Sequence, residues 1–401
     1  MTFVAPQGSS SAHDESPIGL RVAGLFAGIG GIELGLGRAG HHSDLLCEIE
    51  PAAQRVLRER FVDVPLVADV REITELPDVD LLAAGFPCQD LSQAGRTAGI
   101  TGERSGLVDQ VFRLLDVARS PSWLLLENVP FMLQLERGAA MRSLTRSLEE
   151  LGFRWAYRVV DTRAFGLPQR RQRVLLLASR ELDPRDVLFA EDASDPPQQS
   201  ADGVACGFYW TEGVRGLGWA VDAVPTLKGG STIGIPSPPA IWMPDGEVVI
   251  PDLRDAERLQ GFPADWTAPA DSLRGRRNGP RWKLVGNAVS VPVAEWLGHR
   301  LSDPRPYESL LDEPLDRDGK WPQAAWGADG HAWRADVSPW PRHDQRVSLA
   351  DFLSFPTVPL SARATEGFLR RTSRGRLRFP DGFLADLERH LCRVARSARA
   401  K

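Results

Sequence analysis

With 401 residues, 42% of them hydrophobic and 25% charged, the chain can bury the cores of two or three modules, and no apolar run approaches the roughly 20 residues of a membrane helix. Four scattered cysteines (Cys47, Cys88, Cys206, Cys392) with no CxxC pair argue against a zinc site or a disulfide framework and fit a reducing cytoplasm. A net charge of -5 excludes a uniformly basic nucleic-acid binder, yet residues 362–401 hold ten Arg and one Lys against four acids, so local basic surfaces matter more than the total.

Residues 1–19 are polar, lack a basic start followed by an apolar block, and read as a disordered lead-in without a secretory signal. Short apolar runs at 22–26, 45–49, 79–84, 123–126, 155–160 and 174–178 read as strands. Between them Ile32/Leu36/Ala39, Ala52/Val56, Leu107/Val111/Leu114/Leu115 and Leu144/Leu148/Leu151 keep helical spacing. This alternation predicts an α/β fold, a doubly wound, mostly parallel sheet with ligands at the carboxyl ends of its strands. It fails after about residue 181, where Asp, Pro and Gln, then Gly and aromatics, mark a smaller loop-rich module. Helical patterns return at 253–259, 291–301 and 382–398, and a Pro- and Trp-punctuated stretch lies between the last two.

Chemistry-bearing residues fall at the ends of successive strands. The first run ends in Phe26-Ala27-Gly28-Ile29-Gly30-Gly31, where glycines let backbone amides approach a ligand, although a tight turn alone would also use them. Glu48 ends the second run, where nucleotide-type folds place an acid for ribose hydroxyls, and Asp69 ends a possible third and can take an adenine amine. Glu33 departs from the GxGxxG pattern. Gly85-Phe86-Pro87-Cys88-Gln89 puts a cysteine just beyond an apolar run, a place for a nucleophile or for an inert small residue. Glu127 follows the next strand, where burial can raise a carboxyl's pKa for donation to a ring nitrogen, or where it can cap a helix. In Gln169-Arg170-Arg171-Gln172-Arg173, alternation puts Arg171 and Arg173 on one side as a cationic clamp, unless the segment is a solvated basic turn.

In order along the chain, FAGIGG, CEIE, GFPCQDLS, ENVP, QRRQR, RLQGFP and GNAVSVP resemble the motifs of the bacterial cytosine-C5 DNA methyltransferases of restriction-modification systems, over roughly residues 20–303. The resemblance implies the S-adenosylmethionine-dependent methyltransferase fold. It implies a catalytic and cofactor domain at 20–182, completed by 281–303, a target-recognition domain and hinge at 183–280, and a C-terminal extension at 304–401. S-adenosylmethionine is then the methyl donor, with no metal, held by Phe26, Gly28, Gly30, Gly31, Glu48, Ile49, Asp69, Pro87, Val108, Asn287 and Val289. Cys88 is implied as the nucleophile at C6 of cytosine, Glu127 as the partner of N3 and the amine, and Arg173, supported by Arg171, as the group steadying the intermediate. DNA contacts are implied for Gln89, Ser92, Arg215, Thr226 and Lys228.

A monomer on double-stranded DNA, in the cytoplasm and at the nucleoid when bound, beside a cognate restriction endonuclease and away from membranes, completes the expectation. The extension's Arg-rich end either adds phosphate contacts, or its Trp-rich stretch folds back over the core. Two other readings stand: a tRNA cytosine-C5 methyltransferase on the same scaffold, and a catalytically silent DNA-binding regulator.

Overall fold

A computed structural model describes residues 19–86, 106–117, 121–229, 237–272 and 279–399. The first module begins β1 (Arg21–Leu25), α1 (Gly31–Arg38), β2 (His42–Cys47), α2 (Pro51–Arg60), β3 (Leu66–Val67) and β4 (Leu81–Ala84). It continues with α3 (Leu107–Val117), β5 (Trp123–Asn128), α4 (Ala139–Glu150), β6 (Arg154–Asp161), β7 (Gln169–Arg170), β8 (Gln172–Ser179) and α5 (Pro184–Leu188). The order β3-β2-β1-β4-β5 is parallel, as the β-α alternation predicts. Side chains alternate between two cores. Leu82, Ala84, Leu124 and Leu126 meet α3 and α4 on one face, and Leu81, Ala83, Trp123 and Leu125 face α1 on the other.

The sheet as a whole is mixed rather than mostly parallel. β8 runs antiparallel to both β5 and β6. The segment joining β6 to β8 is too short for a crossover helix, so the two close as an antiparallel hairpin.

The second module is an antiparallel sheet built around β9 (Cys206–Phe208), β10 (Ala220–Val221), β12 (Ala240–Trp242) and β13 (Val248–Ile250). Between them β11 (Val224–Pro225) leaves that sheet to pair with β7 of the first module. The chain then returns through α6 (Leu253–Leu259), α7 (Gly279–Asn287) and α8 (Val291–Ser302). α8 packs on α1 so closely that a Cβ at Gly35 would stand 2.5 Å from the Val291 carbonyl oxygen and 2.6 Å from the Ala294 Cβ.

Residues 304–399 divide between the modules. β14 (Glu313–Pro314), β15 (Ala324–Ala328) and β16 (His331–Arg334) extend the first sheet, β15 pairing antiparallel with β6. Here the Trp-rich stretch folds back, with Trp321 lying 5.9 Å from Trp155 and 6.1 Å from Tyr157 between ring centres. After α9 (Leu349–Phe352), β17 (Val358–Pro359) pairs with β13. α10 (Ala362–Thr372) and α11 (Phe383–Arg399) then put Phe368 and Phe383 each 5.1 Å from Phe208 in the second module's core. Among the described residues no helix is long and apolar enough to cross a membrane.

Candidate active site

Leu25, Cys47, Ala84 and Leu126 stand in matched register on β1, β2, β4 and β5. The next residue along the chain is therefore Phe26, Glu48, Gly85 or Glu127, and four sequence-predicted positions meet along one carboxyl edge. Phe26 turns the chain with φ at 55°, a left-handed conformation that costs a non-glycine residue energy and clusters at functional sites. Gly28 and Gly30 follow with φ at 58° and 82°. A Cβ at Gly28 would meet nothing within 4 Å, whereas one at Gly31 would collide with the Val289 carbonyl oxygen at 2.3 Å. Thus the loop is open on one side and locked on the other.

Glu48 is buried and accepts hydrogen bonds from the backbone N–H groups of Gly28 (2.8 Å) and Glu50 (2.7 Å). Burial raises its pKa, and those two backbone donors oppose the rise. Beside it Ile49 is 63% exposed, an apolar shelf next to a carboxylate. Asp69 caps a short turn and is held bidentate by Arg71, whose hydrogen bonds lower its pKa. Val108 is buried on α3 and packs in the core; Asn287 is exposed at the end of α7, and a Cβ at Gly229 would stand 2.6 Å from its Oδ1.

Beneath the loop lies Glu33, which is buried with no hydrogen-bond partner for its Oε2 among the described residues. Desolvation pushes its pKa from 4.5 to about 7, with a smaller push from Glu48. Its folded-state value exceeds its unfolded one, so the stability it contributes is complete below about 4.5 and is lost as pH rises through about 7. Glu33→Gln is expected to flatten this loss, gaining in melting temperature over the parent protein at pH 8 but not at pH 4.5. Parallel melting curves at the two pH values would refute the assignment.

Glu127 is the penultimate residue of β5 and forms an ion pair with Arg173 at 2.9 Å between Oε1 and Nε; the two side chains are only 10% and 12% exposed. Gly85 borders it, since a Cβ there would stand 3.7 Å from Glu127 Oε2. Asn128 ties the neighbouring loop down by donating from Nδ2 to the Phe86 carbonyl at 3.0 Å. Pro87, Cys88, Gln89 and Ser92 lie outside the described residues.

Arg171 does not join Arg173 in a clamp. Its guanidinium is fully buried and donates to the carbonyls of Leu227 (3.3 Å), Gly286 (3.3 Å) and Ala288 (2.6 Å). Burial lowers its pKa, and the nearby Arg173 charge adds to this. It sits between β7 and β8, where burial still alternates: Gln169 and Arg171 are buried, and Arg170 and Gln172 are exposed.

Around Arg171 is a buried network that sequence reasoning did not single out. Gln169 donates to the Leu259 carbonyl at 2.8 Å and accepts from the Leu227 N–H at 3.0 Å. Gln260 donates to the Val285 carbonyl at 2.8 Å and accepts from the Ser290 hydroxyl at 2.7 Å. These side chains lock the edge of the second module to the return helices; in the sequence they appear only as two glutamines inside the QRRQR and RLQGFP motifs.

Of the expected DNA contacts, Arg215 is exposed. The Thr226 hydroxyl donates to the Arg170 carbonyl at 2.9 Å. Lys228 pairs with Glu212 at 2.6 Å and lies over the Tyr209 ring.

Residues 20–204 match the family model of C-5 cytosine-specific DNA methylases. The chain is 50% identical to the type II methyltransferase M2.BsuMI of Bacillus subtilis (strain 168), covering 92% of this chain and 98% of that one. It is also 26% identical to the type II methyltransferase M.MspI of Moraxella sp, covering 69% of each. In fold it is similar to the S. pombe Dnmt2 methyltransferase, with a TM-score of 0.51 at 17% identity over 71% of this chain and 97% of that one. Half-identity over nearly the full length of a relative, joined to the family match, settles the family: the chain belongs to the C-5 cytosine-specific DNA methylases.

Proposed function

We propose that the protein methylates C5 of a cytosine flipped out of a specific double-stranded DNA sequence, with S-adenosylmethionine as donor and a Cys88–C6 bond as intermediate. The observation that carries this is the shared carboxyl edge, where the glycine loop, Glu48, the residues leading to Cys88 and the Glu127–Arg173 pair stand on adjoining strands.

The cofactor's requirements fit the loop. Open space above Gly28, the Glu48 carboxylate and the exposed Ile49 shelf suit a sugar and a flat base, and the same reading assigns Phe26, Gly30, Gly31, Asp69, Pro87, Val108, Asn287 and Val289 to the cofactor. S-adenosylmethionine supplies an electrophilic methyl group on its sulfonium.

Cys88 is the second residue after Phe86 in the sequence. Its thiolate adds to C6, and Glu127, oriented by Arg173, hydrogen-bonds N3 and the exocyclic amine as charge develops in the ring. C5 then becomes enamine-like and nucleophilic. After methylation, loss of the C5 proton and expulsion of the thiolate restore the aromatic ring and the free enzyme. Arg171 acts through its carbonyl partners and is a positioning residue.

A cytosine stacked in a duplex is out of reach, so the base must be extruded into the edge. Gln89 and Ser92 flank the extruded base, while Arg215, Thr226 and Lys228 on the second module meet the duplex. The type II relatives support a cognate restriction endonuclease acting on the same site. The protein works in the cytoplasm as a monomer on nucleoid DNA. Bisulfite sequencing of DNA from cells expressing the chain tests the reading in one step, with protected cytosines expected at one recurring sequence. Methyl transfer to tRNA but not duplex DNA in a parallel labelled assay would replace the substrate, and binding without transfer to either would leave a regulator.

A further inference from the structure

We propose that Arg374, Arg376 and Arg378, on the segment joining α10 to α11, form a phosphate-binding row that extends the DNA interface beyond the target site. This rests on the DNA reading above and assigns a part of that interface to the C-terminal residues. Exposure alternates along the segment: Arg374, Arg376 and Arg378 face solvent while Gly375, Leu377 and Phe379 are half-buried. Leu377 and Phe379 pack on the second module's core, Phe379 lying 5.6 Å from Phe383 between ring centres. Period-two packing therefore turns three guanidinium groups outward on one side. No carboxylate pairs with any of them among the described residues. Asp386, a buried acid on α11, is taken by Arg389 and by the Trp242 indole.

The segment is also fixed in place. Arg371 donates to the carbonyls of Glu212 (2.9 Å) and Trp210 (2.5 Å), and a Cβ at Gly375 would stand 2.9 Å from the Val214 carbonyl oxygen. That pins the row against the 210–216 turn, which exposes Arg215. The same turn leads back to the site by direct contacts. Glu212 pairs with Lys228, and the carbonyl of the preceding Leu227 accepts from Arg171, behind the Glu127–Arg173 pair. A chain of direct contacts thus links the segment to the catalytic edge. Exposed guanidinium groups on a packed backbone suit duplex phosphates rather than sequence readout.

Truncation is a poor test, because Phe368 and Phe383 belong to the module's core. Instead the full chain carrying Arg374→Gln, Arg376→Gln and Arg378→Gln should be titrated with a long target duplex over a range of salt. Every phosphate left without its guanidinium is expected to make the slope of log affinity against log salt shallower by about 0.9, so the triple variant's slope should fall by between about 2 and 3. A target duplex trimmed of its flanks should bind both proteins alike. Arg334→Gln, on β16 of the first sheet, should keep the parent slope. Should the triple variant fold poorly, as judged by its melting curve, Arg376→Gln alone is expected to lower the slope by about 0.9. Parent slopes in folded variants would overturn the row, leaving it open to a protein partner. A parent protein that methylates no duplex would overturn the broader reading whatever the slopes.

Discussion

Cys88→Ser is expected to abolish methyl transfer, by at least about 10⁴-fold, while binding of S-adenosylmethionine stays measurable; deletions of the attacking group in other covalent enzymes act on this scale. The reason is chemical. Serine keeps the size and loses the thiolate, and without addition at C6 the cytosine C5 has no electron density to offer. A duplex carrying 5-fluorocytosine gives a second readout, because fluorine cannot depart as a cation and the parent protein should be trapped on the DNA. The serine protein should give no such adduct. Retained turnover in Cys88→Ser would move the nucleophile elsewhere, and an untrapped parent protein would contradict the covalent route itself. Cofactor binding separates both outcomes from simple unfolding, since Glu48 and the glycine loop stand on other strands.

Removing one member of the Glu127–Arg173 pair should cost more than activity. Both side chains are nearly enclosed, and Arg173 lies beside the buried cation Arg171. Burial lowers the Arg173 pKa, and Glu127 opposes that shift. Arg173→Met strands the carboxylate, and a buried charge left without its partner destabilises by about 3–5 kcal/mol. Adding Glu127→Gln should recover much of that stability while leaving methyl transfer silent, because the pair is needed to meet the developing charge on the ring. Denaturant melts of the two singles and the double measure the coupling directly. Additive losses in stability would deny the pair its structural part, and activity in the double variant would deny its chemical one.

The catalytic edge was legible in the sequence because its members lie at or beside the carboxyl ends of buried apolar runs. Phe26, Glu48, Gly85 and Glu127 could be lined up from hydrophobic runs alone, since parallel strands linked by helices bring their carboxyl ends to one side. The backbone contacts of Arg171 were not legible, because its carbonyl partners come from separate segments. The buried glutamines escaped because their partners are backbone carbonyls from separate segments, which no local pattern encodes. The second module resisted for a similar reason. Its strands are two or three residues long, too short for periodicity, and one of its edge strands, β17, arrives after a detour through the first module's sheet.

That detour decides how such proteins can be recombined. The portion expected to choose the DNA sequence is assembled from two stretches of polypeptide, 206–250 and 358–399, with Phe208 from one wedged against Phe368 and Phe383 from the other. A chimera that imports only the first stretch from a relative would set foreign aromatic rings against native helices and forfeit their fit. Exchanging both stretches together, with the intervening sheet edge left alone, is the graft that keeps each interior whole.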